Sequence, residues 1–144
     1  MIDSTNRAGS YAGNGWVEQW AFGGFWDLGG EPDWIWTKEG QILHPAKTPT
    51  FADGVIFWNF WPVESDSPAV NLQTGLPFGM GMVTIPRHGS RPAQVTTSQP
   101  PDQRLPGAIN ISFYDGHAAM TPLENLWQQE WHQGWKTPPV RPGL

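Results

Sequence analysis

The sequence predicts an α+β fold: a predominantly antiparallel β-sheet with long loops and a C-terminal helix. Three observations carry that expectation. Ala108–Tyr114 alternates apolar and polar residues, then passes through Asp115-Gly116 into a returning stretch, which is the pattern of a β-hairpin. Thr121-Pro122-Leu123-Glu124 opens a segment whose apolar residues recur at helical spacing. The chain also holds 17 Gly and 15 Pro among 144 residues, which break it too often for long regular elements. Ten Trp, seven Phe and two Tyr supply an aromatic core that a disordered chain would lack.

At this length the chain fits a single domain, 1–144. Residues 1–15 are small and polar and read as an irregular lead-in around Tyr11. The stretch 16–36 places Trp16, Trp20, Phe22, Phe25, Trp26, Trp34 and Trp36 among glycines and prolines. Its order is neither helical nor alternating, so it reads as short extended pieces and turns that fill a core. An exposed stacking platform is the alternative use of such residues.

Residues 45–52 look extended, because each Pro disfavours a helix at the residue before it. Val55–Trp61 is a strand candidate bounded by Asp53-Gly54 and Pro62. Residues 62–79 form a long acidic loop with Glu64 and Asp66, and Met80–Ile85 is a second strand candidate. The segment 89–107, rich in Pro, Ser, Thr and Gln, reads as a mobile surface loop.

In the hairpin, Ile109, Ile111 and Phe113 fall on one face. Asp115-Gly116 suits a two-residue type I′ turn, where both central residues need positive φ. In the helix that follows, Thr121 serves as N-cap, Pro122 takes the first position and Glu124 completes a capping box. Leu123, Leu126, Trp127 and Trp131 form its apolar stripe, and Gly134 stops it. His132 then lies near the helix end, where the dipole favours a cation.

Composition removes several function classes. Net charge is −5 and the eight Lys and Arg are scattered, so no basic face is available for nucleic acid. There are no cysteines, which excludes thiol catalysis, disulfides and thiolate metal sites. No apolar run is long enough to span a bilayer, and Met1-Ile2-Asp3-Ser4 does not read as a signal peptide, so the expectation for the sequence as it stands is no membrane segment and no address. No Gly-x-Ser-x-Gly elbow occurs, and Gly79-Met80-Gly81 lacks the following glycine and the lysine of a phosphate loop.

Five short motifs occur in a telling order. They are Tyr11-Ala12-Gly13-Asn14-Gly15-Trp16, Thr48-Pro49-Thr50-Phe51-Ala52-Asp53, Arg87-His88-Gly89, Asn110–His117 with its Asp115-Gly116, and Leu126-Trp127 followed by Trp131-His132. This series resembles prepilin-type "H-X9-DG" proteins, a pseudopilin-like family akin to the major pseudopilins of type II secretion. The resemblance spans about residues 11–135, most of the chain. The connection from His88 to Asp115 is far longer than the nine residues of the family's name, so about 90–107 reads as an insertion. Members begin with a cleaved leader and a long hydrophobic helix; the resemblance covers the globular part without that helix.

The resemblance implies a structural subunit and no enzyme. It implies a small antiparallel sheet packed against the N-terminal helix, pilin-like subunits or secretion machinery as partners, and a place in the cell envelope or outside the cell. Asp53, Arg87, His88, Asn110, Asp115, Gly116, His117, Trp127 and Trp131 are the residues that would fix the domain.

Chemistry is weighed against that frame. His88, His117 and Asp115 are the candidate metal ligands, although their spacing matches no known metal motif. The plainer reading has Asp115 making the turn, His117 flanking it, and Arg87 pairing with a carboxylate such as Asp53. No motif calls for a cofactor. Calcium would find oxygen donors in Glu64 and Asp66, or in Asp27, Glu31 and Asp33. The alternative function is a carbohydrate-binding module that presents exposed tryptophans to a glycan.

Overall fold

The computed structural model describes residues 10–17, 32–55, 59–76, 78–90 and 99–143. Its centre is a four-stranded antiparallel sheet in sequence order: β1 (Ser10–Gly13), β2 (Pro49–Gly54), β3 (Ala108–Phe113) and β4 (Ala118–Pro122). The antiparallel expectation holds. β1 corrects the reading of 1–15 as an irregular lead-in, since Tyr11 pairs with Asp53 and Ala12 with Ala52. Small residues there let β1 lie close to β2, a use of Ala and Gly that strand propensity does not announce.

Pleating divides the sheet into two faces. Ala12, Ala52, Ile109 and Ile111 point inward and are at most 1% exposed. Phe60, Leu72, Met80, Met82, Val83, Leu105, Leu123 and the two indoles of Trp127 and Trp131 cover them. Connections and short 3-10 turns thus form the second layer of the domain. A smaller apolar cluster gathers Trp16 and Trp36 with Trp34, Ile42, Trp61 and Val63.

Among the described residues there is no α-helix, so the α+β expectation reduces to a largely β fold. The expected C-terminal helix is instead a six-residue 3-10 segment, Leu123–Gln128. The reason lies in its supposed caps. Thr121 is spent as a strand residue opposite Ile109. The Glu124 carboxylate turns away to accept from the Leu105 amide and from Arg141, and makes no capping box. Trp127 and Trp131 remain core residues, at 2% and 0% exposure, held by bonds from their indole N–H groups to Asp66 O and Leu126 O.

Met80–Ile85 is likewise not a strand. Gly79–Met82 is a 3-10 turn, entered through Gly79 at φ +53 and held by the Asp66 carboxylate on the Met80 amide. Residues 45–52 divide into a 3-10 turn at Pro45–Lys47 and the strand β2. Of the Val55–Trp61 candidate, Phe60 makes an isolated parallel bridge to Asn14, while 56–58 lie outside the described residues. Part of the expected mobile loop, 91–98, lies outside them too.

The hairpin is present with a different turn. Phe113 N donates to His117 O and Gly116 N to Phe113 O, while Gly116 alone of the loop has positive φ, +91. Tyr114-Asp115-Gly116 is therefore a three-residue loop with glycine in the left-handed position, not a type I′ pair. Asp-Gly satisfies both designs, so the dipeptide could not choose between them.

Candidate functional site

The outward face of the sheet carries Asp53 and Asn110, two of the residues that the motifs singled out, together with Tyr11 and Phe51 from the same motifs. Tyr11 on β1 faces Asp53 on β2, and Asn110 on β3 faces Met120 on β4. Phe51 on β2 faces Ser112 on β3 in the neighbouring row, with Thr50 bulged between Pro49 and Phe51. Tyr11, Phe51 and Met120 stand 63%, 50% and 62% exposed, so three large apolar side chains from three strands lie open to solvent.

At one end of this face His88 is brought to the sheet by its backbone, which pairs in both directions with Ala108. Its Nε2 lies 3.1 Å from Asp53 Oδ2, and the Asn110 carboxamide lies 2.8 Å from the same nitrogen. The Asn110 amide donates to that Asp53 oxygen as well, at 2.8 Å. Asp53 is thereby 8% exposed yet satisfied, and it ties β2, β3 and the His88 segment together. Arg87 does not pair with Asp53; it donates to Gly54 O at 3.1 Å. The described partners of His88 are Asp53, Asn110 and, through the backbone, Ala108, and together they tie its segment to the sheet.

Asp115 and His117 are at the opposite end of β3, about 16 Å away along a strand rising 3.3 Å per residue. There His117 Nδ1 lies 2.6 Å from Asp115 Oδ1 and its ring stacks on Phe113 with centroids 4.4 Å apart. That pairing holds the exposed Asp115 carboxyl below its ordinary range. His88 and the Asp115–His117 pair are thus not brought together. Among the described residues no three His, Asp or Glu side chains gather in a way that could hold a metal ion.

Each of the chain's four histidines instead lies against one carboxylate, the other two pairs being His44 with Glu130 and His132 with Glu64. His132 does not end a helix. It is 1% exposed, with Nε2 3.0 Å from Glu64 Oε2 and Nδ1 2.9 Å from Gln133 O. Trp16, Trp34 and Trp135 surround it.

The two carboxylates of the acidic loop are both engaged by groups of the chain itself. Burial works to raise the Glu64 carboxyl, but the Lys136 amide, its own amide and His132 together hold it below its usual range. At Asp66 burial prevails and raises the carboxyl, against bonds from the Val63 and Met80 amides. Asp27 and Glu31 lie outside the described residues, and Asp33 is exposed.

Sequence reasoning missed three anchors. Asn14, fully buried, donates to Pro49 O and Trp131 O and accepts from the Trp16 amide. Its place inside the first motif was the available signal. Arg141 and the Glu64–His132 pair join segments far apart in sequence, for which no local pattern exists.

No family model matches the chain, and no curated protein and no solved structure matches it either.

Proposed function

We propose that the chain is a structural domain, the globular head of a pseudopilin-like subunit in an envelope or extracellular assembly of the pilus or type II secretion kind. The observation that carries this reading is the open face of Tyr11, Phe51 and Met120, backed by a sheet whose other face is fully covered. In the family that the five motifs resemble, a small antiparallel sheet packs on a long helix, and this face offers an apolar surface of that kind. The Asp53–His88–Asn110 cluster supports the reading as well, because it ties β2, β3 and the His88 segment together behind the same surface.

The glycan alternative has less support in its tryptophan-platform form. Trp16, Trp36, Trp127 and Trp131 are buried and Trp34, Trp61 and Trp135 half-buried; Trp20, Trp26 and Trp58 lie outside the described residues. Intact mass and N-terminal sequence of the native protein in the envelope fraction test the assembly reading. A processed hydrophobic helix ahead of these residues supports it; a freely soluble chain starting at Met1 overturns it.

A further inference from the structure

The two edges of the sheet differ. At the β1 edge Phe60 is already seated, its amide donating to Gly13 O and its carbonyl accepting from the Gly15 amide, each at 2.9 Å. The β4 edge carries no such segment among the described residues. Antiparallel ladders alternate, so every second residue of an edge strand turns its backbone groups away from its neighbour. At one end of the β3–β4 ladder Phe113 N donates to His117 O, and at the other Leu123 N donates to Gly107 O. The register between them is unbroken. Ala119 and Thr121 therefore bond to β3, whereas Ala118 and Met120 each direct an N–H and a C=O to the open edge. Both residues are exposed, Met120 at 62%. Pro122, next in that series, offers only its carbonyl.

We infer that this edge pairs antiparallel with the β4 edge of a second copy of the chain. Open edges are usually guarded by lysine, by a bulge or by an inward-pointing charge, and Ala118-Ala119-Met120-Thr121 has none of these. A two-fold axis through Ala119 sets Ala118 opposite the partner's Met120 and Met120 opposite the partner's Ala118. Every open N–H and C=O of the two residues then finds a partner. The alanines at position 119 meet at the axis, where a non-hydrogen-bonded pair brings Cα atoms to about 4.5 Å and suits small side chains. On the outer face each Met120 lies beside the partner's Ala118, a long side chain against a short one. No charge on the strand meets its like, because the strand carries none. The axis stands perpendicular to the sheet, so the faces of Tyr11, Phe51 and Met120 from both copies join on one side. The contact is short and belongs to the weak class below about 1,200 Å², for which a Kd of about 0.1–1 mM is expected. This inference concerns the edge of the sheet and stands whether or not a helix covers its face.

Sedimentation equilibrium of the whole chain from about 0.05 to about 2 mM tests it, with about 0.5 M NaCl to screen the repulsion between copies of net charge −5. The mass is expected to rise from that of one chain, 16.0 kDa, towards that of two. In a mixture of isotope-labelled and unlabelled chains, filtered NOE spectra then show Ala119 Hα next to Ala119 Hα of the other copy. Ala118→Lys changes an exposed position outside the core, so it melts as the parent does while weakening the association about tenfold or more. The inference is overturned if the mass stays at one chain at the highest concentration, which would leave the edge to a different extended segment. It is equally overturned if a dimer forms without the Ala119 contact, or if Ala118→Lys associates as the parent does.

Discussion

His132 lies flat on Trp34, with ring centroids 4.3 Å apart and planes 9° from parallel, while its Nε2 meets Glu64 across 68 residues of sequence. The pair closes the smaller aromatic cluster onto the 130–136 segment, where the Lys136 amide donates to the other Glu64 oxygen at 2.8 Å. Glu64→Ala leaves Nε2 of the buried imidazole and that amide without their partner. A loss of about 2 kcal/mol is expected in denaturant unfolding. A change below about 0.5 kcal/mol would show that the His132 contacts are replaceable.

The pH dependence separates Glu64 from Asp66. Glu64 is held below its ordinary range, so its contribution is complete above that range and is lost as pH falls through its lowered value. Asp66 is raised, so its contribution is complete below the ordinary aspartate value and is lost as pH rises through its raised value. The two therefore oppose each other in mild acid. Melting temperatures from about pH 3 to about pH 7 should fall more steeply on acidification in Asp66→Asn than in the parent, and less steeply in Glu64→Gln. The reverse order would mean that the signs are wrong.

Arg141 is 6% exposed and fastens the C-terminal tail. Its guanidinium donates to Glu124, to Gln99 O, to Pro100 O at 2.9 Å and to Gln103 O at 2.7 Å. A lysine cannot serve this fork. Arg141→Lys should cost about 3 kcal/mol, or about 10 °C in Tm. Thermal melts of the two proteins check it, and equal melting points would contradict it.

Two glycines with the same backbone sign should respond differently. Gly116 has φ +91 with open space around it, so Gly116→Ala meets only left-handed strain of about 1–2 kcal/mol. Gly107 has φ +76, and a Cβ there would sit 2.5 Å from Pro86 Cβ and 2.7 Å from Ser90 O. Gly107→Ala should therefore be markedly the worse of the two in denaturant melts, because overpacking adds to the strain. Equal losses would contradict the close approach at Gly107.

Legibility followed the range of the determining contacts. The β3–β4 hairpin could be read because its alternation and its turn are both local. Met80–Ile85 could not, because whether that apolar run extends or coils depends on Asp66 reaching the Met80 amide from 14 residues away. The 121–134 segment shows the same limit. Leucines and tryptophans at helical spacing also fit a short 3-10 turn, and the intended cap residue Glu124 is claimed by Arg141 and Leu105. At the candidate site the motifs named Asp53, His88 and Asn110, and these three meet. They also suggested an Arg87–Asp53 pair and grouped His88 with Asp115 and His117, whereas a strand's length divides that group.

The central claim concerns the face of Tyr11, Phe51 and Met120. A photo-crosslinking residue placed at Met120 in the native cell tests it most directly, with Phe78, 64% exposed and outside the sheet, as the control position. The account expects a defined cross-linked product from position 120, containing a pilin-like subunit or a hydrophobic helix, and little from position 78. Uncross-linked chain at position 120, or the same products from both positions, would contradict it.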